Sequence, residues 1–473
     1  MNTLSKILTK AIRLTSTFGK SEIPQSPALD FDLREPKNGG FYTAGFGKCE
    51  IHPPKNIHKK KYYIAGYSEN NPATGLLDVQ TAHALWLDDN SGRGGILMIS
   101  VDCVGLLNAD VNNIRFALRD FSKRTGCRSI NICSTHDHAG IDTMGIWGPL
   151  PKTGLDIEFM QTLYKAVIKA SETAFANRKN ADIFYGKAEV PDMQEDIRLP
   201  IVYSRTLHRF RIVPRDGSRE IWMLNFASHS ESLSGENSLI SADFPCYLRR
   251  EISEKANADT IYFVGAIGGM ISMEVHGKNM GEKIRDTQAL GVKLASYAMS
   301  ISNDEKIPTG VNVRRKEIFF DCENTVLMLA GLASILNVNK IKAENTTLGY
   351  AVKSELSLIT LGDKNLLLLP CELFPELAYG GYLDSENSAE GLPPEVNPQP
   401  LCSIIGDENT IIFGLANDEV GYVIPPNDFM LNEDTPYLDR AFDRFGRKHY
   451  EETNSLGRNT AWKIAQELGW MMD

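Results

Sequence analysis

Residues 129–148 read SINICSTHDHAGIDTMGIWG. An apolar strand, Ser129 to Ser134, runs out into Thr135, His136, Asp137, His138, Ala139 and Gly140. Histidines at i and i+2 of an extended chain point to the same side. At a strand end, followed by small residues that let a ligand approach, such a pair can present imidazoles to a catalytic metal. A pair of hydrogen-bonded loop histidines would have the same spelling.

The pattern around this segment predicts alternating strands and helices. Upstream, Gly95 to Val104 reads as an apolar strand and Asn112 to Lys123 as an amphipathic helix. Downstream, strand-like runs fall at Ile221 to Ala227, Thr260 to Gly265, Ser357 to Leu361, Asn365 to Pro370 and Gly406 to Ala416. Helical patterns cover Tyr247 to Lys255, Asp286 to Ile301 and Thr460 to Met472. The fold class is α/β (mixed α+β): one large domain, 41–473, with central β-sheets flanked by helices and a zinc site at the strand ends. Ahead of it, 1–40 reads as a basic amphipathic segment (Leu4, Ile7, Leu8, Ala11 and Ile12 with Lys6, Lys10 and Arg13) and a Pro- and Gly-containing linker from 21 to 40.

Composition narrows the function classes. The 473 residues are 42% hydrophobic and 23% charged, which fits a globular chain rather than a disordered or fibrous one. A formal charge of −10 argues against a nucleic-acid-coating surface. Eight scattered cysteines without a CxxC pair suit a reduced, cytoplasmic chain, with no signal peptide or membrane span expected. The longest apolar stretch, Thr325 to Leu336, is too short to span a bilayer and reads as a buried helix. Weak contact of the basic N-terminal helix with an anionic membrane surface stays open beside docking on its own domain. Oligomeric state is not legible.

Two further residues repeat the strand-end placement. His229 follows the run Ile221 to Ala227, and Glu372 closes the run Leu366 to Pro370. Each has a plainer reading, a satisfied structural histidine and a helix-start carboxylate. Together with His136 they are the ligand types of a mononuclear hydrolytic zinc site. HExxH, the EF-hand loop and GxSxG do not occur, and Gly265, Gly268 and Gly269 do not spell GxGxxG. Asp142 lies four residues after His138 where a metallo-β-lactamase pattern needs two.

Longer motifs carry a resemblance. AGFGKCEIHPP (44–54), THDHAG (135–140), NFASHSESLSGENSLISADFPCY (225–247), LLLPCE (367–372) and GLANDEVGYVIPPNDF (414–429) come in that order. From about Phe41 to its C-terminus the chain resembles the catalytic domain of the neutral/alkaline, non-lysosomal ceramidases, zinc amidases that cleave the N-acyl bond of ceramide. The resemblance implies Zn2+ held by His136, His229, Glu372 and Tyr422. It implies His138 as the acid/base histidine, Tyr450 as a hydrogen-bond donor to the reacting carbonyl, and Arg198 as a stabiliser of developing negative charge. Outside the resemblance, both tyrosines read as half-buried packing residues and Arg198 as a surface ion pair. The family's GDVSPN loop appears as GGMISMEV, so Ser272 matches its serine only with a one-residue shift. With Tyr450 this close to residue 473, the reading expects a homologue without the family's immunoglobulin-like C-terminal domain.

The expected function is zinc-dependent hydrolysis of a linear amide, with an N-acyl sphingosine of sphingolipid metabolism as the substrate implied by the resemblance. An amidase of small polar amides and a non-catalytic ceramidase-like binding or regulatory module are the alternatives. A long apolar channel beside His136 would favour a lipid, and a shallow polar cleft a small amide.

Overall fold

The computed structural model describes residues 3–16, 22–24, 28–30, 34–149 and 151–473. Residues 17–20 of the expected N-terminal segment and parts of the expected linker (21, 25–27 and 31–33) lie outside the described residues. Helix α1 (Thr3–Thr15) lies against the domain, with Ile12 buried, the Arg13 Nε donating to Thr347 O at 2.7 Å and the Thr15 hydroxyl 3.0 Å from that of Tyr350.

The larger sheet contains β1 (Tyr42–Ile51), β2 (Gln80–Asp88), β3 (Ile96–Val101), β4 (Ser129–Ser134), β5 (Lys179–Glu189), β6 (Thr206–Pro214), β7 (Glu220–Phe226) and β8 (Ala258–Val264). Its strand order is β8-β7-β6-β5-β1-β2-β3-β4, antiparallel except for the β3/β4 and β7/β8 pairs at its two ends. Strand β3, ILMISV, is buried at every position, as a strand covered on both faces is. The second sheet includes β9 (Val311–Asp321), β10 (Tyr350–Leu361), β11 (Lys364–Leu368) and β12 (Ile411–Phe413). The two sheets share one core, in which Leu85, Met98, Phe210 and Phe263 meet Val313, Ile359, Leu366 and Phe413.

Helices cover the outer faces. Ile157–Ala176, which starts at an Asp156 cap accepting from Phe159 N, packs on β1 and β2. Asp243–Lys255 packs on β8, and Thr460–Met472 on β9. The last matches its sequence reading residue for residue, because its apolar spacing and its boundaries agree.

Three elements differ from expectation. The helix read over Asn112 to Lys123 is two helices, Asn108–Ala117 and Arg119–Thr125, meeting at Leu118. The strand read over Gly406 to Ala416 shrinks to β12, because Gly414 to Ala416 leave the sheet to reach other strand ends. The expected buried helix is α2 (Thr325–Leu332), capped by the Asn324 side chain and only partly buried, since residues along it border a cavity. The layout places the C-terminal ends of β4, β7 and β11 together. Isolated bridges Cys133↔Ala416, Asp137↔Ser230 and His229↔Ser272 tie the segments that emerge there.

Candidate functional site

His136 stands two residues beyond β4, and its backbone is left-handed (φ 56°) rather than extended. Strand alternation therefore does not bring the two histidines together; the turn does. It is held from outside, because Asp137 N donates to Cys103 O and His138 N to Ser230 O. His138 is admitted by Gly66 (φ +103°), where a Cβ would stand 2.4 Å from the imidazole.

The imidazoles of His136, His138 and His229 are buried, and each offers a ligand atom within 4.8 Å of the others. His136 Nδ1 donates to Val104 O at 2.8 Å and His229 Nδ1 to Ile271 O at 2.9 Å. A carbonyl can only accept, so these bonds place a proton on each Nδ1 and turn each Nε2 inward. His136 Nε2 lies 2.9 Å from His138 Nε2, and Glu372 Oε2 lies 3.0 Å from His229 Nε2 and 3.3 Å from His136 Nε2. Electron-rich atoms thus converge in a buried space, and this donor set suits a divalent cation: the group could hold a metal ion. The electrostatics favour positive charge at the same place. Burial lowers the His229 pKa, yet the carboxylates of Glu231 and Glu372 overcome it and push the group up to about 9. His138 is driven the other way, to about 3, by burial and by His136.

Tyr422 pairs with Glu372 in a two-residue parallel ladder, so ligand candidates from distant stretches of sequence sit side by side. The Tyr422 hydroxyl donates to Met270 Sδ at 3.4 Å and lies 3.5 Å from that of Tyr450, which reaches the same sulfur at 2.6 Å. Burial, then the nearby Glu372 carboxylate, raises the Tyr422 phenol well above its ordinary range.

Arg198 is neither exposed nor in the cavity lining. Its guanidinium is buried, donates to Glu451 Oε2 (2.8 Å), Glu452 Oε1 (2.9 Å) and Asp428 Oδ2 (3.2 Å), and lies over the Phe374 ring. Its charge is taken up by these carboxylates, so its connection to the site runs through the chain that carries Tyr450. Ser272 lies beside His229 and donates to Glu231 Oε1.

Two residues in the site went unassigned in the sequence. Glu231, two residues after His229, accepts from Tyr67 OH at 2.7 Å and from Ser272, and its Oε2 lies 3.5 Å from His138 Nδ1. Burial raises its pKa, but His229, His138 and these two hydroxyls bring it down to about 2. The HisSerGlu spelling was the available signal. Glu419 is buried with Oε2 unpartnered, and burial, then Glu372, hold its carboxyl well above the usual range.

A cavity of about 800 Å³ opens from this cluster. His136, His138, Glu231, Glu372, Tyr422 and Tyr450 occupy one part of its lining. The rest is mostly apolar, including Leu107, Ile146, Trp147, Leu336, Leu438 and Leu456, with Val326, Leu327, Met328 and Ala330 of α2.

No protein-family model matches this chain, and no curated protein sequence does. Solved structures match. The neutral ceramidase of Pseudomonas aeruginosa aligns over 92% of this chain and 74% of its own, with a TM-score of 0.66 and 14% sequence identity. A ceramidase complexed with C2 aligns over 92% of this chain and 75% of its own, with a TM-score of 0.68 and 14% identity. The chain has a neutral-ceramidase-like fold, mixed α/β, with a buried histidine group that could hold a metal ion.

Proposed function

We propose that the protein is a zinc-dependent amidohydrolase that cleaves the linear amide of an N-acyl lipid of the ceramide type. The observation that carries this reading is the junction of the His136/His229/Glu372 donor set with an apolar cavity of about 800 Å³. A small polar amide would not need that apolar wall, whereas an acyl chain gains about 25 cal/mol for each Å² it buries there. His136, His229 and Glu372 would hold the zinc with Tyr422 as a fourth ligand, and zinc so held supplies Lewis acidity toward a carbonyl and acidifies water.

The chain's own groups do the rest. His138, neutral and buried beside the donor set, takes the proton of the attacking water at Nε2 and returns it to the leaving amine. Glu231, facing His138 Nδ1, orients the imidazole and stabilises it while protonated. Tyr450 donates its hydroxyl to the reacting carbonyl oxygen. Arg198 acts at one remove by fixing Glu451 and Glu452, and with them the position of Tyr450. Ser272 holds Glu231.

The test is elemental emission on purified protein, comparing wild type with His229→Ala and Glu372→Ala. The expected result is about one zinc per chain, lost in both variants. Loaded wild type should then hydrolyse N-acyl sphingosines in preference to short polar amides. Protein that takes up no metal when zinc is supplied would overturn the reading and leave a binding module as the better account.

A further inference from the structure

Helix α1 stands out by charge. Thr3–Thr15 carries Lys6, Lys10 and Arg13 and no acidic residue, in a chain whose formal charge is −10. At 100° per residue its side chains divide into two faces. Ile12 points inward and belongs to the same apolar cluster as Met328, Leu348, Tyr350 and Val352. The outward face presents Ile7 and Leu14, 57% and 65% exposed. They are seven residues apart and so lie nearly in line along the helix, with Lys6 and Lys10, both exposed, beside them.

The place of the helix matters as much as its composition. It packs on α2, which is apolar after its opening Thr325 and contributes Val326, Leu327, Met328 and Ala330 to the cavity lining. Leu438, also in that lining, is 60% exposed. A face that is apolar along its centre and basic at its edge therefore lies outside the apolar wall of the cavity.

We infer that this face docks the protein on an anionic lipid bilayer, with Ile7 and Leu14 in the interfacial layer and Lys6 and Lys10 among the headgroups. Charge complementarity selects this occupant: an apolar pair alone would suit a protein partner, whereas an apolar pair beside cations, with no acid on the helix, matches an anionic interface. The purpose assigned to docking, delivery of lipid to the cavity, rests on the N-acyl lipid reading given above. The docking itself rests on α1 alone.

The experiment is co-sedimentation of the full chain with vesicles of phosphatidylcholine and with vesicles that also carry phosphatidylserine. The wild type should partition onto the anionic vesicles and release as salt rises. K6Q/K10Q should weaken partitioning about 30-fold, from about 1 kcal/mol for each cation near an anionic surface. I7S/L14S should weaken it as well, and circular dichroism should show both variants folded, because the substituted side chains face solvent. Wild type that stays in the supernatant, or variants that partition like wild type, would overturn the inference. The two readings fail separately: His229→Ala should lose metal yet still sediment, and I7S/L14S should still hydrolyse a short-chain N-acyl amide in solution.

Discussion

Two buried clusters of charge lie near each other in this molecule and solve the same problem in opposite ways. Around Arg198, three carboxylates, Asp428, Glu451 and Glu452, surround a guanidinium that the chain itself supplies, and His449 Nδ1 lies 2.9 Å from Glu452. Around Glu372, three imidazoles and a carboxylate converge, with two of the imidazoles locked by backbone carbonyls so that their Nε2 atoms face inward. Burying charge is costly unless it is paired. A cluster that contains its own cation is finished as a structural element, whereas one whose donors point at a common space could hold a cation from outside.

That contrast can be broken experimentally. The largest effect should come from the receiving cluster: Glu372→Ala should remove bound zinc and lower amide hydrolysis by more than about a thousandfold, a loss of about 4 kcal/mol, read by elemental emission and steady-state rates. Arg198→Met should instead cost about 3–5 kcal/mol in denaturant unfolding, because three carboxylates lose their cation, while zinc per folded chain stays the same. If Arg198→Met leaves stability unchanged and removes only activity, the guanidinium serves the reaction directly and the contrast fails. Glu231→Gln should lower kcat about 10- to 100-fold with little change in KM, since it alters the partner of His138 and not the apolar cavity.

Glu376 is buried in the first turn of helix Pro375–Tyr379 near Arg198 and makes the stability itself depend on pH. Burial, with a further push from Asp196, raises its carboxyl to about 8, against an ordinary value of 4.5. A raised folded-state pKa means that the folded chain holds the proton more tightly than the unfolded one. Its contribution to stability is complete below about pH 4.5 and is lost as pH rises through 8, with a slope of about 1.4 kcal/mol per pH unit. Glu376→Gln should flatten this part of the stability profile measured by urea titration. A variant profile that parallels wild type would show that Arg198 already neutralises Glu376.

Much of the frame was legible because it is local. The apolar run of Ser129–Ser134 and the amphipathic spacing of Thr460–Met472 specify their elements without help from distant residues. His136, His229 and Glu372 could be picked out individually, since each is a polar group closing an apolar run, but their convergence depends on how β4, β7 and β11 are arranged. The left-handed turn at His136 could not be read, because it is imposed by hydrogen bonds that Asp137 N and His138 N donate to the Cys103 and Ser230 carbonyls. Glu231 and Glu419 looked like ordinary loop acids, and only tertiary packing buries them. Arg198 shows the converse: its motif was visible, but the carboxylates that occupy it come from 230 or more residues away along the chain.

The bonds from His136 Nδ1 to Val104 and from His229 Nδ1 to Ile271 carry a consequence for maturation. In small zinc domains the metal assembles the chain, and removing it unfolds them. Here main-chain carbonyls orient two of the imidazoles without an ion, so on the zinc reading proposed above the chain would complete its tertiary structure first and load its ion afterwards. Loading then becomes a matter of access and supply: a chelated sample should stay folded, melt at a lower temperature than the loaded protein because the ion binds the folded chain, and recover on simple reconstitution.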